Sequence, residues 1–426
     1  MATSLFVAFV VFVVLNTPIS LALGLASLAG LLYAGGLPLI MVPQKLFTGI
    51  DSFALLAVPL FILAGNLMET GGISRRIIAV ASALVGHIRG GLGQVVIVST
   101  VFFSGVSGSS TADTAAIGSV CIPAMVKKGY RRELATAIVA AAGAMGILIP
   151  PCINMVVYAF VAETSIAALF LGGFLPGFLM AFCLMVYTYL TARKENYPTE
   201  PKASFRETLT ALKNGIFPLL MPIIIMGGIL SGICTVTESA AIAVAYAFVL
   251  SVFAYKELKI SQLPEVLIST VSTTGVVILL MGMATIFGWI LAHQRIPHMV
   301  GETISDLSSQ PWIFLLIVNV LFLIVGTFMD PLPAIVILVP ILLPVALQLG
   351  ISPIHFGIVL IANLGIGFIT PPVGVVLFVA CGIGQVSISK VIGPLLPFIG
   401  VMIAVLALIT YIPELTLFLP RLFGYL

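Results

Sequence analysis

Long apolar runs separated by short clusters of Gly, Pro, Ser, Thr and charge recur from one end of the chain to the other, as in Ser4 to Leu15 running on to Leu32, Trp312 to Thr327, and Phe398 to Ile412. Such runs suffice to cross about 30 Å of hydrocarbon at about 1.5 Å per residue. Strand-length alternation is absent, so the expected elements are membrane helices. Met1 to Leu15 has neither a basic start nor a small-residue cleavage site, and reads as a first membrane helix rather than a removed signal peptide. Composition agrees: 61% hydrophobic residues, 8% charged residues and a mean hydropathy of +1.26 exclude an ordinary soluble protein. The net charge of +3 is too small and too dispersed for a nucleic-acid partner. Five cysteines (Cys121, Cys152, Cys183, Cys234, Cys381) stand in apolar surroundings without metal-ligand spacing and read as packing residues.

Sliding the sequence against itself by 221 residues superimposes eight glycines and prolines without a gap, where chance placement gives about one. The pairs are Gly105 with Gly326, Pro123 with Pro344, Gly129 with Gly350, Gly146 with Gly367, Pro150 with Pro371, Pro151 with Pro372, Gly172 with Gly393, and Pro176 with Pro397. Lys and Arg mark cytoplasmic loops. Lys127, Lys128, Arg131 and Arg132 follow the first hairpin, whereas Gln348, Leu349, Ser352 and Pro353 stand at the same offset in the second half. Equivalent turns then face opposite sides, the signature of an inverted-topology repeat. The expected division is a first repeat over 1–192, a cytoplasmic linker over 193–214 carrying Arg193, Lys194, Lys202, Arg206 and Lys213, and a second repeat over 215–426 with both termini outside.

Within each repeat two features interrupt the helices. Phe102 to Ala116, a Gly/Ser/Thr run between apolar arms, predicts a re-entrant hairpin near 102–125, with Ser110 and Asp113 at capping-box spacing. Its counterpart, near 323–347, has Asp330 before Pro331, an N-cap followed by proline at the first helical position. Gly146 to Pro151 and Gly367 to Pro372 each end in a proline pair, which predicts helices broken near 135–162 and 355–382. Breaks there free the carbonyls of Gly146, Ile147, Gly367 and Phe368. Thr48 with Asp51 and Thr235 with Glu238 read as ordinary helix caps.

An ionisable residue at membrane depth is costly and usually functional. Asp113 and Asp330 therefore read both as caps and as parts of an ion or substrate site. Freed carbonyls and hydroxyls suit sodium, whereas proton coupling asks for a titrating group deep in the membrane. The four histidines (His87, His293, His298, His355) fall near predicted helix ends, so sodium is the expected coupling ion, with no organic cofactor. The candidate sodium ligands are Ser104, Gly105, Ser107, Gly146, Gly326, Asp330, Gly367 and Thr370. The candidate substrate residues are Ser109, Ser110, Asp113, Asn154, Thr327, Pro150, Pro151, Pro371 and Pro372, the carboxylate being met by hydroxyls and helix N-termini. Asn66, Asn319 and Asn363 read as interhelical glue. Two rival classes are an intramembrane serine protease, on Gly105-Val106-Ser107-Gly108, and a passive channel. The first needs a base beside its serine, and the second usually repeats around a pore by oligomeric symmetry.

Leu63 to Met68 with Gly71 to Arg76, Ser107 to Ala116, Ile149-Pro150-Pro151, Phe287 to Leu291, Phe328 to Pro331 and Gly367 to Gly374 together resemble the large membrane (M) subunit of tripartite ATP-independent periplasmic (TRAP) transporters, over essentially the whole chain. The resemblance implies a multi-pass protein of the bacterial cytoplasmic (inner) membrane that imports an organic acid on a sodium gradient. Sialic acid, a C4-dicarboxylate and a sugar acid are the candidate substrates. It implies an elevator-type ion transporter fold in which 102–160 and 325–379 move against a scaffold. It also implies two partners, a small four-helix membrane subunit (Q-type) on a separate polypeptide and a periplasmic substrate-binding protein (P-type).

Overall fold

The computed structural model describes residues 2–34, 38–197, 199, 202–299 and 310–426. Helices α1 (Ala2–Val14) and α2 (Ile19–Ala34) form an antiparallel pair in which Gly30 lies against Leu5. The single apolar run expected over 4–32 is thus two helices, parted at Asn16, whose φ of 61° bends the chain, and at Pro18. Then follow α3 (Met41–Ile50), α4 (Ala57–Thr70) and α5 (Ile73–Val85). Thr48 lies inside the last turn of α3 with its hydroxyl on the Lys45 carbonyl, so Thr48 and Asp51 do not cap a helix. Apolar contacts carry the helix through Ile50 before Asp51 can start one. The Thr235 capping box, in contrast, is present, with Thr235 and Glu238 each bonding the other's backbone.

Helices α6 (Gly91–Ser107) and α7 (Ser110–Lys127) make the first hairpin. Its arms are longer than the turn chemistry alone indicated, because nothing between 91 and 101 interrupts the helix. The broken pair is α8 (Arg132–Met145) and α9 (Ile153–Val161), and α10 (Ile166–Lys194) follows. Of the polar stretch 193–214, residues 193–194 finish α10 and residues from 205 open α11 (Phe205–Leu230), while residues 198, 200 and 201 lie outside the described residues. Helices α12 (Val236–Val249) and α13 (Leu263–His293) precede the second hairpin of α14 (Pro311–Phe328) and α15 (Pro331–Gln348). The chain closes with the broken pair α16 (Pro353–Gly367) and α17 (Val375–Gly384), then α18 (Ile388–Tyr411) and α19 (Glu414–Leu422). Among the described residues, nine helical segments are long and apolar enough to cross a membrane.

Two contact sets fix how the hairpins enter. Gly90, just before α6, faces Thr188 and Ala192 of α10, and Arg131, just after α7, pairs with Glu195 at 2.7 Å. Both ends of the first hairpin therefore sit at the C-terminal end of α10. The second hairpin leads into Ile354, which lies against Gly172 near the start of α10, while Thr416 of α19 touches the same glycine. Twenty residues of helix separate Gly172 from Ala192, about 30 Å at about 1.5 Å per residue. The core between these ends is α8, α9 and α16, buried almost throughout. Across it α7 packs on α17, and α15 packs on α9. Helices α4 and α13 pack on each other beside this body, with α12 on α4, and α2 and α3 on α13.

Candidate functional site

The first hairpin turns at Gly108, whose φ of 63° is open to glycine at no steric cost, and Ser109 follows in extended conformation. Ser109, rather than Ser110, is the N-cap of α7, its hydroxyl accepting from the Ala112 amide. Asp113 is thereby freed from capping. Its side chain is fully buried and accepts from two hydroxyls of the opposite arm, Ser104 on Oδ2 and Ser107 on Oδ1. Gly146, at the α8 break, closes the cluster: a Cβ there would lie 2.8 Å from Asp113 Oδ2. Gly105 faces the carbonyl of Pro150, and Gly108 faces that of Pro151, so the break packs directly on the hairpin turn. No Lys, Arg or His stands within ion-pair distance of Asp113 among the described residues.

A cavity of about 170 Å³ lies on the other side of that turn. Ser109, Ser110, Asn154 and Asp330 line it, so both hairpins contribute. The buried Ser110 hydroxyl has no hydrogen-bond partner among the described residues. Asp330 caps α15 as its sequence indicated, Oδ1 accepting from the Leu332 amide at 3.1 Å, and its exposed side chain keeps its other oxygen for the cavity. The sequence reading set Asp330 among the sodium ligands and Asp113 among the substrate residues; in the structure Asp113 turns inward to Ser104 and Ser107, and Asp330 lines the cavity with Ser109 and Asn154.

At the second break, Gly326 and Gly367 meet backbone to backbone, and the Val373 amide donates to the Thr327 carbonyl at 3.2 Å, holding α14 against the Pro371-Pro372 turn. The Thr370 hydroxyl bonds the Ile366 carbonyl and takes no part in the cavity. The carbonyls expected to be free are partly engaged. Gly146 accepts from Ile149 and Gly367 from Thr370, each at 3.0 Å, through tight turns that keep the chain hydrogen-bonded past the break. Phe368 accepts from both Val376 and Leu377, whose amides at the start of α17 would otherwise lack partners. The glycine carbonyls each keep a second lone pair.

Three further lining residues come from helices without a hairpin: Ile62 on α4, and Thr273 and Val277 on α13. The signal for α13 was the hydroxyl run Ser269, Thr270, Ser272, Thr273 and Thr274 inside an apolar stretch. A second, separate cavity of about 380 Å³, lined by Asn66, Glu69, Thr70, Gln262 and Glu265, lies further along α4 and α13 toward the turn before Arg75. The asparagines bond between helices, Asn66 to Thr270 at 2.9 Å, Asn319 to Thr410 at 3.0 Å, and Asn363 to Asn319 at 2.7 Å. His355 stands in the first turn of α16, near a helix end as expected. It is buried, with Nε2 donating to the Thr410 carbonyl and Nδ1 2.8 Å from the Thr416 hydroxyl. Ser107, the serine of the protease-like tetrapeptide, has Asp113 and no imidazole as its partner. Cys121, Cys152 and Cys381 are buried free thiols, and Cys183 and Cys234 are free and half-buried.

A family profile described as "Tripartite ATP-independent periplasmic transporter, DctM component" matches residues 6–415. The C4-dicarboxylate TRAP transporter large permease protein DctM of Rhodobacter capsulatus is 41% identical over 421 residues, 96% of this chain and 96% of that protein. The isethionate TRAP transporter permease protein DctMQ of Oleidesulfovibrio alaskensis is 44% identical over 415 residues, 97% of this chain and 65% of that longer protein. The crystal structure of the YdaH transporter of Alcanivorax borkumensis aligns with a TM-score of 0.65 over 87% of this chain and 88% of that one, at 16% identity, a likeness of fold alone. The chain belongs to the DctM family and is the large permease component of a tripartite ATP-independent periplasmic transporter.

Proposed function

We propose that this permease imports a small organic acid across the bacterial inner membrane by sodium-coupled, elevator-type alternating access, together with a separate small membrane subunit and a periplasmic binding protein. The observation that carries the reading is Asp113, a buried carboxylate with two hydroxyl partners and no cationic side chain beside it. An unpaired carboxylate costs several kcal/mol to bury. A bound cation removes that cost, and oxygen donors from Ser104, Ser107, Asp113 and the Gly146 carbonyl form the hard set that sodium takes beside an unwound helix. Sodium enters next to the hairpin turn and orders Ser109 and Ser110 for the substrate, which is the coupling.

An inverted repeat supports alternating access. Helices α7 and α15 have 18 residues each with both ends 221 positions apart, and the two hairpins are based at opposite ends of α10. The cross-packing of α7 on α17 and of α15 on α9 joins hairpins and broken helices into one body that slides along α4 and α13. The substrate carboxylate is received at the N-terminus of α7 by the unpartnered Ser110 hydroxyl and neighbouring amides. At about 170 Å³ the cavity is well below the size of sites for drug-sized ligands. That favours a C4-dicarboxylate or isethionate, the acids named for the two relatives, over sialic acid or a sugar acid.

Reconstituted with its small subunit, the permease is expected to take up labelled isethionate or a C4-dicarboxylate only when the matching binding protein is added. Uptake of sialic acid alone, or uptake indifferent to every binding protein, overturns the substrate or the partner reading respectively. In the same assay Asp330→Ala is expected to lower uptake at least about tenfold with the protein still in the membrane, since the second hairpin loses a candidate sodium ligand and α15 its cap, itself worth about 1 kcal/mol. Asp330→Asn keeps an acceptor for Leu332. Full recovery in that variant would show that the cap, and not the charge, is what uptake needs.

A further inference from the structure

A cavity of about 630 Å³ lies away from the hairpin turns, between α3 and α13 on one side and α9 and α15 on the other. Lys45, Thr48, Thr285 and Trp289 line it from the α3–α13 side, and Glu163 and Pro340 from the other. Lys45 is half-buried, with its ammonium 5.8 Å from the centre of the Trp289 ring, and has no carboxylate within ion-pair distance among the described residues. Glu163, the one acid in the lining, is exposed. His293 stacks on Trp289 with ring centres 5.3 Å apart. The position of Lys45 is set by close packing: Gly49 lies against Thr285, and Gly282 against Leu46 and Ile50, which presses α3 onto α13.

Helix α13 is common to both cavities. Thr273 and Val277 face the hairpin cavity, and Thr285 and Trp289 face this one. Twelve residues separate Thr273 from Thr285, about 18 Å at about 1.5 Å per residue. Between the hairpin cavity and the basic Arg75–Arg76 turn lies the cavity of Asn66 and Glu69, so the Lys45 cavity occupies the opposite, outward end of α13. Resting on the carrier reading above, we propose that Lys45 is the carboxylate receptor of the outward-facing state. When the hairpin body stands about 18 Å further along α13, Ser109 and Ser110 arrive beside Thr285 and Trp289. The Lys45 ammonium then pairs with the carboxylate of the arriving acid and supplies the positive charge that the hairpin cavity lacks. Moving inward leaves Lys45 behind on α3, and the acid is held only by hydroxyls and amides, from which it leaves readily. Pairing with a desolvated ammonium on one side of the membrane alone makes the two faces of the carrier unequal in affinity.

The test uses the permease with its small subunit in proteoliposomes, comparing uptake of binding-protein-delivered acid with efflux of preloaded acid. Lys45→Ala is expected to raise the external KM about tenfold or more, to leave the internal KM within about twofold, and to keep the maximal rate. Lys45→Arg is expected to stay near wild type. Lys45→Cys should behave like Lys45→Ala until aminoethylation of its thiol restores the charge and the external KM, with wild type treated alike as control. An unchanged external KM in Lys45→Ala, an equal rise on both sides, or a defect that aminoethylation does not repair would each overturn the proposal. Wild type that moves no acid under any gradient would instead remove the carrier reading on which it stands.

Discussion

Asp113→Asn is expected to abolish sodium-driven uptake, lowering it at least about a hundredfold, while the permease stays folded in the membrane. Two hydroxyls converge on this buried carboxylate, and hydrogen bonds to a charged group are worth about 1.5–3 kcal/mol each. An amide in the same volume keeps the packing and removes the charge that holds sodium. Thermal unfolding of the purified protein separates this from simple damage. A ligand at about a hundred times its Kd stabilises the folded state by about 2.7 kcal/mol, so sodium should raise the wild-type Tm and potassium should not. Asp113→Asn should lose that rise, yet melt no lower than wild type without sodium, because an uncompensated buried charge has been removed. Ser104→Ala and Ser107→Ala should each weaken sodium about tenfold or more. A sodium-induced rise that survives in Asp113→Asn places the ion elsewhere.

Gly367→Ala is expected to be strongly damaging, and Gly326→Ala far milder. These glycines touch, but not symmetrically. A Cβ on Gly367 would lie 2.6 Å from Gly326 Cα and 2.7 Å from its carbonyl oxygen, whereas a Cβ on Gly326 would lie 3.1 Å from Gly367 Cα. The first demands that backbone move, and the second asks a few tenths of an ångström. Overpacking of a tight core costs about 1–3 kcal/mol, and here it also parts α14 from the α16 break. Uptake should fall more than about tenfold with a lowered Tm in Gly367→Ala, and stay within about threefold of wild type in Gly326→Ala. Equal effects of the two would show that the hairpin contact is plastic.

The features legible in the sequence are those set by local backbone chemistry. Pro150-Pro151 and Pro371-Pro372 marked the breaks because a proline pair forbids continuous helix wherever it stands. Asp330 before Pro331 marked its own cap for the same local reason. At Ser109-Ser110 the spacing rule slipped by one residue, since either serine could cap and only the left-handed Gly108 decides which of them is extended. The partners of Asp113 were not legible, although Ser104 and Ser107 were named as candidate sodium ligands: they lie nine and six positions back, and face it only once the turn is made. Thr273 was missed because attention to Gly and Pro passes over hydroxyls in an unbroken helix. The partners of His355 were not legible because Thr410 and Thr416, which satisfy its ring, are 55 and 61 residues away. Lys45 gave no signal either, since its meaning depends on which end of α13 it stands against.

The central claim is coupling to sodium through the Asp113 cluster, and uptake of the identified acid under separated gradients tests it most directly. Proteoliposomes holding the permease and its small subunit, supplied with the loaded binding protein, should accumulate acid when sodium is high outside and pH is equal. Uptake should vanish when potassium replaces sodium, and in Asp113→Asn. Accumulation driven by a pH gradient without sodium, retained in Asp113→Asn, would contradict the account.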